Sequence, residues 1–340
     1  MLVIRDDRFL RHDPGAAHPE SPARLRAIHR SLDERPPPGM IVENARPARQ
    51  ADLERVHTPP YLTALAATAG RHALLDPDTP VGPFSYAAAQ LAAGAAVQAV
   101  EAVAARREAG AFALVRPPGH HAESERAMGF CLLNHVAIAA AFAADELSCR
   151  RILILDPDVH HGNGTQWAFW DRADVLYVSS HRFPFYPGTG SIGELGNGPG
   201  LGYTVNLPLP AGAGDADLLF VYGQLVAPLV DEFEPDLVLV SAGFDAGRND
   251  PLGGLSVTTP GFAALFSLFA GWAARHCAGR IVLTLEGGYD PEGLAAGVRA
   301  ALGALAGEPA PIVGGAPGPL VLSMAAQLRS VLSPYWRALH

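Results

Sequence analysis

The sequence predicts an α/β protein, a three-layer α/β/α sandwich around a central, mostly parallel sheet. Three observations carry the prediction. Short apolar runs rich in Val, Ile and Leu recur along the 340 residues, Ala-rich stretches of helical length lie between them, and each run stops at a cluster of Gly, Pro, Asp or His. The strand candidates are AFALV (111–115), RILIL (151–155), VLYVS (175–179), DLVLVS (236–241) and RIVLTL (280–285). None alternates polar with apolar residues, as expected of parallel strands buried on both faces. The helix candidates are 85–107, 132–146, 214–233 and 259–276, with Asp215 and Thr259 as caps of the last two. The first 80 residues read as loop-rich chain wrapped on the sheet. No low-complexity linker, charge block or repeat interrupts the series, so residues 1–340 read as one domain.

Composition bounds the function. With 49% hydrophobic and 17% charged residues the chain can bury a large core. A net charge of −9 disfavours a grip on nucleic-acid phosphates and suits a cationic substrate. Cys131, Cys149 and Cys277 are too few and too scattered for a disulfide framework or a Cys-rich zinc site, and read as buried thiols in a reducing compartment. MLVIRDDRFLRHD lacks the pattern of a secretion signal, and the apolar stretch 262–274 is too short to span a bilayer. A cytoplasmic protein without membrane contact is therefore expected, with the Ala-rich helices and the 310–340 tail as surfaces for a homo-oligomer.

The segments just beyond the strands are chemically dense. AFALV leads into Arg116 and PPGHH, RILIL into DPDVHHGNG, VLYVS into SHRFPFYPGTG, DLVLVS into AGFDAGRNDP, and RIVLTL into EGGYD. In a parallel sheet the carboxyl ends of all strands share one edge, where ligand sites form. Asp158 and His160 are two apart just beyond a strand, so their side chains point the same way. With Asp245 from another strand end they make an Asp, His, Asp set with open positions, the arrangement of a catalytic zinc; oxygen-rich ligation also admits Fe2+ or manganese. An isolated Asp-x-His is more often a loop hydrogen-bonding pattern. Two Asp and two His within residues 156–161 after a buried strand are harder to explain by packing, because buried ionisable groups need a partner or a metal.

His120 and His121 offer a general base for a metal-bound water, with Asp156 or Asn163 as the buried acceptor that fixes a histidine tautomer. A structural pair in a turn is the plainer alternative. Tyr289 follows two glycines and can donate to an oxyanion, or cap a core. GFC (129–131) and FPFYPGTG (183–190) supply aromatic walls or ordinary core.

Taken together, VHTPPYL, RPPGHH, GFCLLNHVAIAA, DPDVHHGNGTQ, FYPGTG, SAGFDAGRNDPLGGL and EGGYD resemble, in this order, the zinc-dependent histone deacetylase and acetylpolyamine amidohydrolase superfamily, over roughly residues 10–300. HPESPARL and HHGNGTQ look more like its class II and bacterial branch. The resemblance implies an arginase-like fold, with catalytic motifs between 116 and 290. It implies zinc ligands at Asp158, His160 and Asp245; His120 paired with Asp156; His121 as general base and acid; and Asn163 where class I has a second aspartate. It implies Tyr289 polarising the acetyl carbonyl, and Gly129, Phe130, Tyr186 and Leu252 lining a narrow substrate tunnel. A structural potassium ion is implied by the backbone around Asp156, Asp158, His160 and Ser180 with the Ser179 hydroxyl.

Two departures stand out: Pro157 between the two aspartates removes a backbone donor, and Tyr186 stands where phenylalanine is common. The implied reaction is hydrolysis of the acetamide of an acetylated primary amine, an acetyl-lysine side chain or similar, to acetate and free amine. Acetylpolyamines are the alternative substrate. A binuclear arginase-like hydrolase would need further carboxylates, and position 247 is Gly; a noncatalytic acyl-amine binding protein would use the same pocket without turnover.

Overall fold

The ten strands of the computed structural model, which describes residues 1–340, are β1 (Leu2–Ile4), β2 (Ile41–Glu43), β3 (Ala73–Leu74), β4 (Pro80–Val81), β5 (Gly110–Ala113), β6 (Ile152–Asp156), β7 (Val175–Arg182), β8 (Thr204–Leu209), β9 (Leu237–Ala242) and β10 (Ile281–Leu285). Eight of them form one sheet in the order β2-β1-β5-β10-β9-β6-β7-β8, while β3 and β4 pair antiparallel by themselves. Every pairing in the large sheet is parallel. The central strands β5, β6, β9 and β10 are buried at every residue, which is why their sequences carry no alternation.

The helices are α1 (Pro22–Glu34), α2 (Gln50–Leu53), α3 (Pro59–Ala66), α4 (Ser85–Ala104), α5 (His135–Leu147), α6 (Asn163–Ala168), α7 (Asp215–Val221), α8 (Ala227–Phe233), α9 (Thr259–Cys277), α10 (Pro291–Leu305) and α11 (Pro319–Leu332). α4 and α5 pack together on one face of the sheet, and α1, α9 and α10 form the opposite layer. One apolar core runs from Leu2 to Leu339. All three cysteines are free and buried. By length and composition α4 could cross a membrane, a possibility the short stretch 262–274 does not raise; 72% of its apolar window is buried in the fold.

Several expectations are corrected. The first 80 residues are not only loop: they supply β1 and β2 at one edge of the sheet, and helix α1, whose Leu25, Ile28 and Leu32 are buried. The stretch 214–233 is not one helix. A π-helical turn at Tyr222–Val226 separates α7 from α8, where Pro228 has no N–H to give to the preceding turn. The α9 cap is Thr258 rather than Thr259, its side chain accepting from Gly261 N–H. Asp215 lies inside the first turn of α7, after Gly214, and its carboxylate accepts from the backbone and hydroxyl of Thr258. Separately from these corrections, the 319–339 tail folds back on the sheet edge, with Trp336 donating to the Gly202 carbonyl, and most of α4 is buried in the core.

Burial pushes the imidazoles of His57, His135 and His181 down to about 4. Each is neutral in the folded protein but takes up a proton on unfolding below its ordinary value near 6.5. Their contribution is intact above about pH 6.5 and is lost as pH falls toward 4, at up to about 1.4 kcal/mol per pH unit for each histidine. Urea midpoints taken at half-unit steps should fall steeply across that window. A flat profile would mean that these histidines ionise in place.

Candidate metal centre and active site

β5, β10, β9 and β6 are neighbours in the sheet, and their carboxyl ends deliver His120 and His121, Tyr289, Asp245, and Asp158 with His160 to one crevice. One ligating atom from each of Asp158, His160 and Asp245 lies within 4.8 Å of the others. His160 Nδ1 is 3.2 Å from Asp158 Oδ1 and 3.1 Å from Asp245 Oδ2. Both carboxylates are fully buried and clamped from behind. Val159 N–H donates to Asp245 Oδ1, His160 N–H to Asp158 Oδ1, and Gly287 N–H to Asp158 Oδ2. These anchors hold the ligand loop although Pro157 has no N–H to contribute.

The charges are those of a cation site. Burial works against a charged His160, but Asp158 and Asp245 overcome it and raise the imidazole to about 9. Asp245 itself is raised to about 7 by burial and by the neighbouring Asp158 charge. A proton held between two buried carboxylates marks a place that a divalent cation fits better. Space is kept for it: a Cβ on Gly243 would lie 2.1 Å from Asp158 Oδ2, and one on Gly287 2.0 Å from Asp245 Oδ2. The carboxylate and imidazole donor set matches a catalytic zinc or iron(II).

The tandem histidines differ in kind. His120 Nδ1 donates to Asp156 Oδ2 at 3.1 Å, and its Nε2 is 3.8 Å from Asp158 Oδ1. Burial opposes its charge, yet these two aspartates hold it well above the ordinary histidine range. His121 Nδ1 faces the Asn163 carbonyl oxygen at 2.8 Å. That oxygen can only accept, so Nδ1 carries the proton and Nε2 is bare. Burial, then the charges of His120 and His160, hold His121 well below the usual range and keep it neutral, as a base requires.

Aromatic rings close the sides. Tyr186 meets His121 edge-on at 5.1 Å and His160 at 6.1 Å between ring centroids. Its hydroxyl is buried without a partner. Phe130 stands edge-on to Tyr289 at 5.8 Å. Gly129 has φ +56°, and a Cβ there would come within 2.4 Å of His121 Cδ2, so only glycine lets this wall approach the base. Leu252 is half-buried on the loop after Asp245, its N–H on Asp250 Oδ1. Asp156 and Ser179 are register partners on β6 and β7; the Ser179 hydroxyl pairs with His181 Nδ1, and that of Ser180 with Tyr222.

Residues unrecognised in the sequence hold these groups in place. Glu286 Oε2 accepts from the N–H groups of Gly119 (2.6 Å) and His120 (3.2 Å). Arg24 donates to the carbonyls of Glu286 and Gly288, and its guanidinium lies 4.9 Å over the Tyr289 ring. Asp250 receives the N–H groups of Tyr289 and Asp290. Asp78 and Thr79 hold the N–H groups of Gly129 and Phe130. The Glu and Arg four apart in HPESPARL, and the Glu of EGGYD, were the available signals. A surface cavity of about 520 Å³ beside Arg35, Arg299 and Glu308 contains none of these side chains.

Residues 18–305 match the Histone deacetylase domain family. The chain is 40% identical over 300 residues to a "Probable deacetylase" of Archaeoglobus fulgidus, covering 86% of this chain and 82% of that one. It is 39% identical over 362 residues to "Polyamine deacetylase HDAC10" of Homo sapiens, covering 99% of this chain and 53% of the human protein. The crystal structure of the HDA15 HD domain superposes with a TM-score of 0.93 at 39% identity, covering 99% of this chain and 97% of that one. The arginase/deacetylase-like fold expected from the sequence is therefore present, and the chain belongs to the histone deacetylase family.

Proposed function

We propose that this deacetylase works with a zinc ion held by Asp158, His160 and Asp245, and that it hydrolyses the acetamide of an acetyl-lysine side chain or a similar acetylated primary amine. The buried Asp158–His160–Asp245 cluster, with the bare Nε2 of His121 beside it, is the observation that carries this reading. When bound there, zinc would lower the pKa of a water and polarise the acyl carbonyl. His121 Nε2 takes the proton of the attacking water, and Asn163 keeps the imidazole in the tautomer that can do so. The Tyr289 hydroxyl donates to the carbonyl oxygen as it gains charge; burial raises that phenol well above its usual range, so it stays protonated. A protonated histidine then hands its proton to the departing amine. A potassium ion beside Asp156, Asp158, His160, Ser179 and Ser180 is part of the same proposal, supported by the adjacency of the β6 and β7 ends.

Acetylpolyamines are the second reading. Asp78 and Asp76 lie close enough to Tyr186 to raise its phenol further after burial, so this side of the approach is acidic and suits a second amine. Acetate release from an acetyl-lysine peptide, N-acetylputrescine and N-acetylcadaverine, before and after chelation and zinc return, tests both. Peptide preference supports the first reading and polyamine preference the second. No release from any, or release indifferent to chelation, would overturn the zinc deacetylase. Tyr289→Phe should lower kcat on the order of a hundredfold with metal content unchanged; wild-type turnover would remove Tyr289 from the mechanism.

A further inference from the structure

We propose that Glu123 is the third member of a His121–Asn163–Glu123 chain, the positioning residue that decides which end of the Asn163 amide faces the base. The inference rests on the deacetylase reading, in which His121 takes the proton of water. Asn163 Nδ2 donates to Glu123 Oε1 at 2.7 Å, while Asn163 Oδ1 meets His121 Nδ1 at 2.8 Å. The two ends of a carboxamide have nearly the same shape and opposite hydrogen-bonding character. Turned round, Asn163 would donate into Nδ1 and drive the imidazole proton to Nε2, the nitrogen that must be bare.

Asn163 has two other acceptors near its Nδ2, the His121 carbonyl and the Met128 thioether, both at 3.4 Å and both weak. Glu123 is the short, charge-assisted contact, and its carboxylate cannot donate, so it admits only the Nδ2 end. The position of Glu123 is itself fixed. Its backbone exchanges hydrogen bonds with Arg126, and its carbonyl receives His57 Nδ1. Half-exposed beside Val56, Ser124, Trp167 and Ala168, the side chain stays in contact with water while reaching a buried amide. A carboxylate placed directly on His121 would orient it without help. An asparagine needs an outer acceptor, and Glu123 is that acceptor.

The test uses Glu123→Ala, Glu123→Gln, and Glu123→Ala combined with Asn163→Asp, whose carboxylate offers an acceptor at either end. Glu123→Ala should lower kcat about tenfold to a hundredfold with KM within about twofold, the scale of losing an outer-shell partner. Glu123→Gln, which keeps an acceptor oxygen, should lose less. The double variant should recover most of the loss, whereas Asn163→Asp alone sets two carboxylates against each other and should be impaired. Nitrogen-15 shifts of the His121 ring should show Nδ1–H in the wild type and a mixture of tautomers in Glu123→Ala. An unchanged kcat and tautomer in Glu123→Ala, or a loss that Asn163→Asp fails to rescue, would overturn the proposal. The tautomer is read without turnover, so a wild type that releases no acetate would sink the deacetylase reading and leave this one separately decided.

Discussion

Gly287→Ala should abolish the metal binding proposed for Asp158, His160 and Asp245 and lower acetate release on the order of 10³-fold, the loss expected when several kcal/mol of Lewis-acid and water activation disappear. The new methyl would sit 2.0 Å from Asp245 Oδ2 and 2.6 Å from Asp158 Oδ2. Neither carboxylate can swing aside. Both are fully buried, Asp245 is pinned by Val159 N–H, and Asp158 by the N–H groups of His160 and of Gly287 itself. Relief must come from the β10 loop backing away, which pulls the anchor off Asp158 and carries Tyr289 with it. Gly271→Ala on the exposed face of α9, where a Cβ meets nothing within 4 Å, is the matched control and should retain metal and turnover. The measurements are bound metal per chain, circular dichroism and acetate release. A Gly287→Ala protein with full metal content would show that the ligand set lies elsewhere.

The groups that could do chemistry were legible in the sequence because a parallel sheet brings all its carboxyl ends to one edge. Once RILIL, DLVLVS and RIVLTL read as strands, Asp158, His160, Asp245 and Tyr289 fell on one sheet edge, and the adjacency of β10, β9 and β6 is what brings them together. Identity of residue type then did the rest, since few packing arguments explain so many buried ionisable groups. The groups that hold them were not legible. Arg24 supports a loop more than 260 positions away, and nothing local to HPESPARL says where its guanidinium ends. Glu286 reads as the end of a strand, yet its carboxylate turns back to the N–H groups of PPGHH on the neighbouring strand, a contact created by sheet order alone. β1 and β2 have three residues each, too short for any periodicity. α1 did carry one, Leu25, Ile28 and Leu32, diluted by five charged residues and by His29 and Ser31. β8, TVNLPL, hid behind an asparagine and a proline that an edge strand tolerates.

Glu20→Gln should cost about 3–5 kcal/mol of unfolding free energy, a large part of the roughly 5–15 kcal/mol that a domain possesses. Glu20 is fully buried, and each oxygen serves two donors. Oε1 receives Arg24 Nη1 at 2.8 Å and Arg116 Nε at 2.6 Å; Oε2 receives Arg116 Nη2 at 2.7 Å and His12 Nε2 at 3.1 Å. Burial alone would raise this carboxyl, but the Arg116 charge, helped by His12 and Arg24, holds it well below the usual range. Glutamine is nearly isosteric but removes the charge and one acceptor, leaving two buried guanidiniums without a counter-ion. Glu20→Leu with Arg116→Met leaves one buried guanidinium, Arg24, without its counter-ion instead of two, and should be less harmful than the single change, because the penalty lies in the orphaned charges. Removing the exposed pair Arg151–Glu234 should change stability by less than about 1 kcal/mol. The damage should also reach the site: Arg24, no longer held by Glu20, would loosen the carbonyls of Glu286 and Gly288 beneath Tyr289. Urea unfolding of the four proteins, with kcat measured under native conditions, separates the two effects. A Glu20→Gln midpoint matching that of the surface variant would mean that water or a small anion replaces the lost charge, and that the N-terminal segment is not the strut the fold makes of it.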